Sequence, residues 1–74
     1  SKDYILHTDA SDTTYGAVLS QMINNQMKPI AFMSKKMSSA EMNYSVHEKE
    51  LLAIVISLKY WKHYLEGKRV DIFT

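Results

Sequence analysis

The sequence predicts an α/β domain: a three-stranded antiparallel meander, one long helix, and a fourth strand running parallel to the first. Three observations predict it. The first 34 residues fall into short runs of β-forming residues parted by turn residues. A capped stretch starting at Val46 carries apolar residues at helical spacing. A β-rich run over residues 69–74 then follows a glycine.

Residues 3–9 read as a strand, in which Tyr4-Ile5-Leu6 leads through His7 and Thr8 to Asp9. The turn-prone Ser11-Asp12-Thr13-Thr14 stops it. Residues 16–22 read as a second strand, with Val18, Ser20 and Met22 on one face and Ala17, Leu19 and Gln21 on the other. Asn24-Asn25 is a turn signal, so the second and third strands form a hairpin. The third strand covers residues 28–34, with Pro29 near its start, where a missing N–H is tolerated at a sheet edge.

Ser38-Ser39-Ala40-Glu41 forms a short capped turn, and Ser45-Val46-His47-Glu48 fits the capping box S-x-x-E. The main helix is therefore predicted from Val46 to Gly67, a residue favoured just past a helix C-terminus. About twenty residues at 1.5 Å each give roughly 30 Å of helix. The first strand, this helix and the final strand make a right-handed parallel unit, with one sheet face covered by the helix.

A 74-residue chain makes one domain, residues 1–74, with a modest core. With 46% apolar and 23% charged residues the composition is that of a globular protein. A net charge of +1 excludes strong non-specific attraction to nucleic acid from this segment alone. Without cysteine, disulfides and thiolate zinc sites are excluded. The uncharged helix run, residues 51–58, is too short to span a membrane, so no membrane partner is expected. There is no signal-peptide pattern, and the first residue is not methionine, which leads us to expect a segment of something longer. The five methionines read as core gap-fillers.

Two acids stand out. Counting about 100° per residue from Glu50, Leu58, Ile54, Trp61 and Leu65 fall within a quadrant of it. Ser57 and Tyr64 lie close on the other side. That arc is expected to be the buried face, where an unpaired carboxylate is costly, so Glu50 should be paired, protonated or bound to a cation. Asp9 closes the first strand. An acid at a strand end and another in the first turns of a helix point to a metal site. Glu48 lies about 160° around the helix from Glu50 and is better explained as the capping acid. A second apolar stripe, Leu52, Ile56 and Tyr60, is expected to pack on something outside these residues, a dimer interface being the other reading.

Together the motifs resemble the ribonuclease H domain of gypsy-type long-terminal-repeat retrotransposon polyproteins. The matching segments are Thr8-Asp9-Ala10-Ser11, Gly16-Ala17-Val18-Leu19-Ser20-Gln21, Pro29-Ile30-Ala31-Phe32 and Ser38 with Glu41. Asn43-Tyr44-Ser45, Glu48-Lys49-Glu50-Leu51-Leu52-Ala53, His63-Tyr64-Leu65 and Ile72-Phe73-Thr74 complete the set. The resemblance implies the N-terminal part of a ribonuclease H-like fold, from an enzyme that cuts the RNA strand of an RNA–DNA hybrid during reverse transcription. It implies two divalent ions in the complete domain, Mg²⁺ or alternatively Mn²⁺, held by acids. Asp9 corresponds to the family's first-strand aspartate. Glu50 corresponds to its helix glutamate, which precedes a Leu-x-Ala step, here Leu51-Leu52-Ala53.

The family's third acid follows the strand segment that ends here in Ile72-Phe73-Thr74, and a fourth lies further downstream. Asp71 is no substitute, because it falls about 13 Å short at ~3.3 Å per residue. The expectation is therefore a domain cut before its third catalytic acid and inactive by itself. The implied partners are the hybrid, an adjoining reverse transcriptase and the rest of the ribonuclease H segment, inside a cytoplasmic retroelement particle. The alternative is a non-catalytic remnant serving as a structural or binding module.

Carboxylates suit the chemistry: two metals about 4 Å apart can activate a water and stabilise a leaving oxygen. Mg²⁺ prefers carboxylate and water oxygens, which suits Asp9 and Glu50 as ligands. Ser11, in the 11–15 loop, is a candidate substrate contact and equally a turn former. His7 shares strand parity with Asp9 but reads as packed or solvent-facing. Lys35-Lys36 and Lys59, Lys62 and His63 are candidate phosphate contacts and read first as solvated surface. Tyr44 and Trp61 offer stacking surfaces, Trp61 falling on the arc expected to be core.

Overall fold

Alternation along the first strand decides how the sheet packs. In a computed structural model, which describes residues 3–74, β1 (Asp3–Ala10) buries Tyr4, Leu6 and Thr8. Ile5, His7 and Asp9 point to the opposite face. In β2 (Thr14–Ile23) the buried set is Tyr15, Ala17 and Leu19, with Ser20 also covered. β3 (Gln26–Lys36) and β4 (Arg69–Phe73) complete a four-stranded sheet in the order β3-β2-β1-β4. The first three strands are antiparallel and β4 runs parallel to β1, as expected. β1, β2 and β3 each extend past the apolar runs that predict them, because ladder pairing continues through polar ends such as Thr14 with Lys36.

Asn24 and Asn25 both have positive φ, 52° and 63°, the conformation of a two-residue hairpin turn that asparagine tolerates. Opposite β2, Ser20 pairs with Pro29 and Leu19 with Ala31, so Ile30 is an extra residue in a bulge. The proline thus sits on an edge strand where it interrupts the ladder. With Lys28, Lys35 and Lys36 it discourages another strand from adding there.

Two capping boxes start the helices. Ser38 Oγ accepts from the Glu41 N–H at 3.2 Å, and the Ser38 N–H donates to Glu41 Oε1 at 2.8 Å, opening α1 (Ser39–Met42). Ser45 and Glu48 repeat the arrangement at 3.2 and 3.0 Å, opening α2 (Val46–Tyr60). These backbone bonds hold both glutamates below the usual carboxyl pKa. Glu48 is the capping acid that the sequence predicts.

The single long helix predicted to Gly67 is broken. α2 stops at Tyr60, and a four-residue α3 (Lys62–Leu65) follows. Between them Trp61 leaves helical geometry at φ −105° and ψ 24°, with its indole buried in the same cluster as Tyr4, Leu6 and Leu65. Burying so large a ring under a short sheet turns the chain, which the apolar spacing alone does not reveal. Gly67, at φ 73°, then supplies the left-handed exit, and the Lys68 N–H donates to the Leu65 carbonyl.

α2 lies on β1 and β2 through small residues. Ala53 and Ser57 are its buried positions, and the Ser57 hydroxyl satisfies itself on the Ala53 carbonyl at 2.7 Å. One core cluster joins Tyr4, Leu6, Ala17, Leu19, Met33, Trp61 and Leu65. A second joins Tyr15, Met37 and Ala53, with Leu52 and Ile56 packed against it. Leu52 and Ile56 of the second apolar stripe are partly covered within the chain by this cluster. Met37, at the end of β3, supplies that cover. Tyr60 remains exposed and meets Trp61 edge-on at 5.4 Å.

Candidate metal centre

Asp9 is the penultimate residue of β1, two residues before the loop 11–13. Glu50 sits in the second turn of α2. Forty-odd residues apart in the chain, they line one cavity of about 60 Å³ with Thr8, Ala10, Ala53 and Thr74. The structure brings together the two acids that the sequence singles out.

Their setting differs from the expectation in one respect. Glu50 is exposed, as is Asp9. Its angular position on the helix is that of the buried arc, but its depth is not. Ala53 is the first residue of α2 to be buried, and Glu50, almost one turn before it, lines the cavity instead. Water can reach both carboxylates.

The loop after Asp9 is held from two sides. The Ser11 hydroxyl accepts from the Thr14 N–H at 3.0 Å and the Thr13 N–H at 3.3 Å, and donates to the Thr14 carbonyl. Ser11 thus shapes the turn, and it stays exposed outside the cavity between the acids. Lys49 Nζ donates to the Asp12 carbonyl at 3.2 Å, tying the first turn of α2 to this loop. Sequence reasoning missed Lys49, since nothing in a helical lysine announces a partner 37 residues away.

Other candidates are placed elsewhere. His7 stacks on Phe73, ring centres 5.3 Å apart at 20°, on the open sheet face. Asp71 lies opposite Ile5 and pairs with Arg69 at 3.5 Å, away from the acids as the spacing predicts. Trp61 is core. Lys35 and Lys59 rim a groove of about 500 Å³ with Phe32, Ile56 and Tyr60, which shares no residue with the acidic cavity. Among the described residues no group of three or more His, Cys, Asp or Glu is placed to hold a metal.

Residues 1–74 match a family described as the RNase H-like domain found in reverse transcriptase. This chain belongs to that family. The RNase H-like chain is 55% identical over 68 residues to the Transposon Tf2-3 and Tf2-4 polyproteins of Schizosaccharomyces pombe, with 90% of it covered. It spans about 5% of the length of these relatives. Its fold is similar to part of a foamy viral protease-reverse transcriptase solved in complex with dsDNA, at a TM-score of 0.83 and 19% identity. That match covers 97% of this chain and 15% of the viral one.

The donors suit a hard divalent cation in kind. The lining residues offer carboxylate, hydroxyl and backbone oxygens, with no sulfur or imidazole among them. In number they are few. Two carboxylates leave most of an octahedral shell to water or substrate, which predicts weak binding by these residues alone. No helix of the described residues is long and apolar enough to cross a membrane.

Proposed function

We propose that this RNase H-like segment contributes Asp9 and Glu50 to a centre that hydrolyses the RNA strand of RNA–DNA hybrids during reverse transcription. The supporting observation is their convergence on one solvent-open cavity from a strand end and a helix start. Asp9 and Glu50 would hold Mg²⁺, or Mn²⁺, through hard oxygens. A pair of such ions, when bound, activates the attacking water and stabilises the leaving oxygen.

The protein's own part is placement. Capping by Ser45 and Glu48 sets where α2 starts, and Lys49 fixes that start against the loop after Asp9. Together they hold the two carboxylates across the cavity without either bonding the other. Ser11, exposed on the loop, would meet substrate phosphate or ribose at the rim. The β4 register sets Phe73 beside His7, so a strand continued past Thr74 would bring its next residue beside Asp9. An acid there would complete the ligand set, and the two acids of this chain alone are insufficient for cleavage. The parent activity would draw on an adjoining reverse transcriptase and the remaining RNase H segment.

The test is cleavage of an RNA–DNA hybrid in Mg²⁺ or Mn²⁺ by this chain and by a version extended through downstream acids. The extended protein should cleave, and Asp9→Asn or Glu50→Gln should each lower its rate by at least ~10–100-fold, the loss typical of even an outer metal partner. Strong Glu50-dependent cleavage by the 74-residue chain would overturn its predicted insufficiency.

A further inference from the structure

The chain has two glycines, and backbone conformation accounts for one of them. Gly67 needs its positive φ. Gly16 does not have one, and it lies inside the central strand β2, where glycine weakens a strand by roughly 0.5–1 kcal/mol relative to alanine. Nor does crowding require it. A Cβ built at Gly16 would meet only the Asp9 carbonyl oxygen, at 3.9 Å, an ordinary contact. Neither the fold's geometry nor its packing explains why this position lacks a side chain.

Its neighbours do. Gly16 is the direct cross-strand partner of Asp9 on one side and of Ser34 on the other. Directly opposed residues project to the same sheet face, with Cβ atoms about 4.5–5.5 Å apart. The space above Gly16 is therefore the space beside the Asp9 carboxylate. It forms a second cavity of about 340 Å³, walled by His7, Val18 and Phe32. Asp9 lines both this cavity and the smaller one it shares with Glu50.

The larger cavity adds room beside Asp9. The cavity shared with Glu50 is about 60 Å³, and the one over Gly16 about 340 Å³. Magnesium gives up its waters reluctantly and takes about six oxygens, of which these acids supply few. On the strand side of Asp9, the space over Gly16 is room for part of that shell.

We propose that Gly16 is a clearance position of the metal centre: its missing side chain leaves room beside Asp9 for the water shell of a divalent cation. The inference rests on the metal-site reading above. A β-branched side chain at this position would fill that room while suiting the strand.

The test is Mn²⁺ titration of the 74-residue chain, read by paramagnetic broadening of backbone amide signals, alongside thermal unfolding of each variant. Wild type should broaden first around Asp9 and Glu50. Gly16→Val should remain folded, with an unfolding midpoint at or above wild type, and should need at least tenfold more Mn²⁺ for the same broadening. Gly16→Ala should remain folded and need about two- to threefold more. Wild-type uptake with unchanged uptake in both variants overturns the clearance role and leaves the metal site standing. Wild type with no broadening at the acids overturns the metal site itself, and the clearance role with it. Should Gly16→Val not fold, Gly16→Ala decides: weaker uptake in a folded protein supports the role, and unchanged uptake or loss of fold overturns it.

Discussion

The two faces of the sheet have been treated very differently by the same four strands. Beneath α2, the row Met33, Ala17 and Thr8 and the row Ala31, Leu19 and Leu6 interlock with Ala53, Ser57, Ile56 and Trp61. On the other face, Phe32, Val18, His7 and Phe73 form a row across all four strands, yet Phe32 is 72% exposed. The next row is Ser34, Gly16 and Asp9. Stability is concentrated on one side, while Asp9 and Glu50 meet at a small cavity where β1 ends. A face that carries little of the fold's energy is free to carry polar and small residues that a core would reject.

Truncation in the core is the most severe way to test this contrast. Leu6→Ala should cost about 2–5 kcal/mol in denaturant unfolding, enough to unfold much of so small a domain. Phe32→Ala, on the open face, should stay within about 0.5 kcal/mol. Comparable losses from the two would show that the open face is a second core.

The caps come next, because they set where the helix starts. Ser45→Ala should cost about 1 kcal/mol and lower the thermal midpoint. Ser38→Ala should cost less, since α1 is four residues long and buries none of them. Equal effects would mean that α1 contributes as much to the sheet's cover as α2.

Acid should have the smallest effect. Glu41 and Glu48 have folded-state pKa values below 4.5 because each accepts a backbone N–H. Their contribution is therefore present above the unfolded value and lost as pH falls through the lowered folded one. Unfolding midpoints measured from about pH 5 to about pH 3 should fall less steeply in Glu41→Gln with Glu48→Gln than in wild type. An equal slope would assign acid sensitivity to the carboxylates of the open end instead.

Local signals were the legible part of this fold. Asn24-Asn25, the two S-x-x-E boxes, Pro29 at an edge and Gly67 past the helices each act through bonds a few residues long, and each was found in place. Asp9 and Glu50 stand out through the family pattern, and both line the cavity of about 60 Å³. What the sequence hid depends on distant contacts. Trp61 breaks the helix because of where the core lies, and Lys49 bonds a loop that only the fold brings near. Helical angles place Glu50 toward the sheet but do not say where the sheet ends. Met37 covers Leu52 and Ile56 from a strand end that a polar sequence, Ser34-Lys35-Lys36, had made look like loop.

The exposure of Glu50 bears on the order of events. Two carboxylates already solvated in the folded chain impose little desolvation cost, so these acids do not call for a cation to offset burial. On the proposed metal reading, uptake would be a reversible event on a finished scaffold. A cation present at about its own dissociation constant would add only ~0.4 kcal/mol to stability. Occupancy would track the surrounding ion concentration, while the protein stays folded through both the loaded and the empty state.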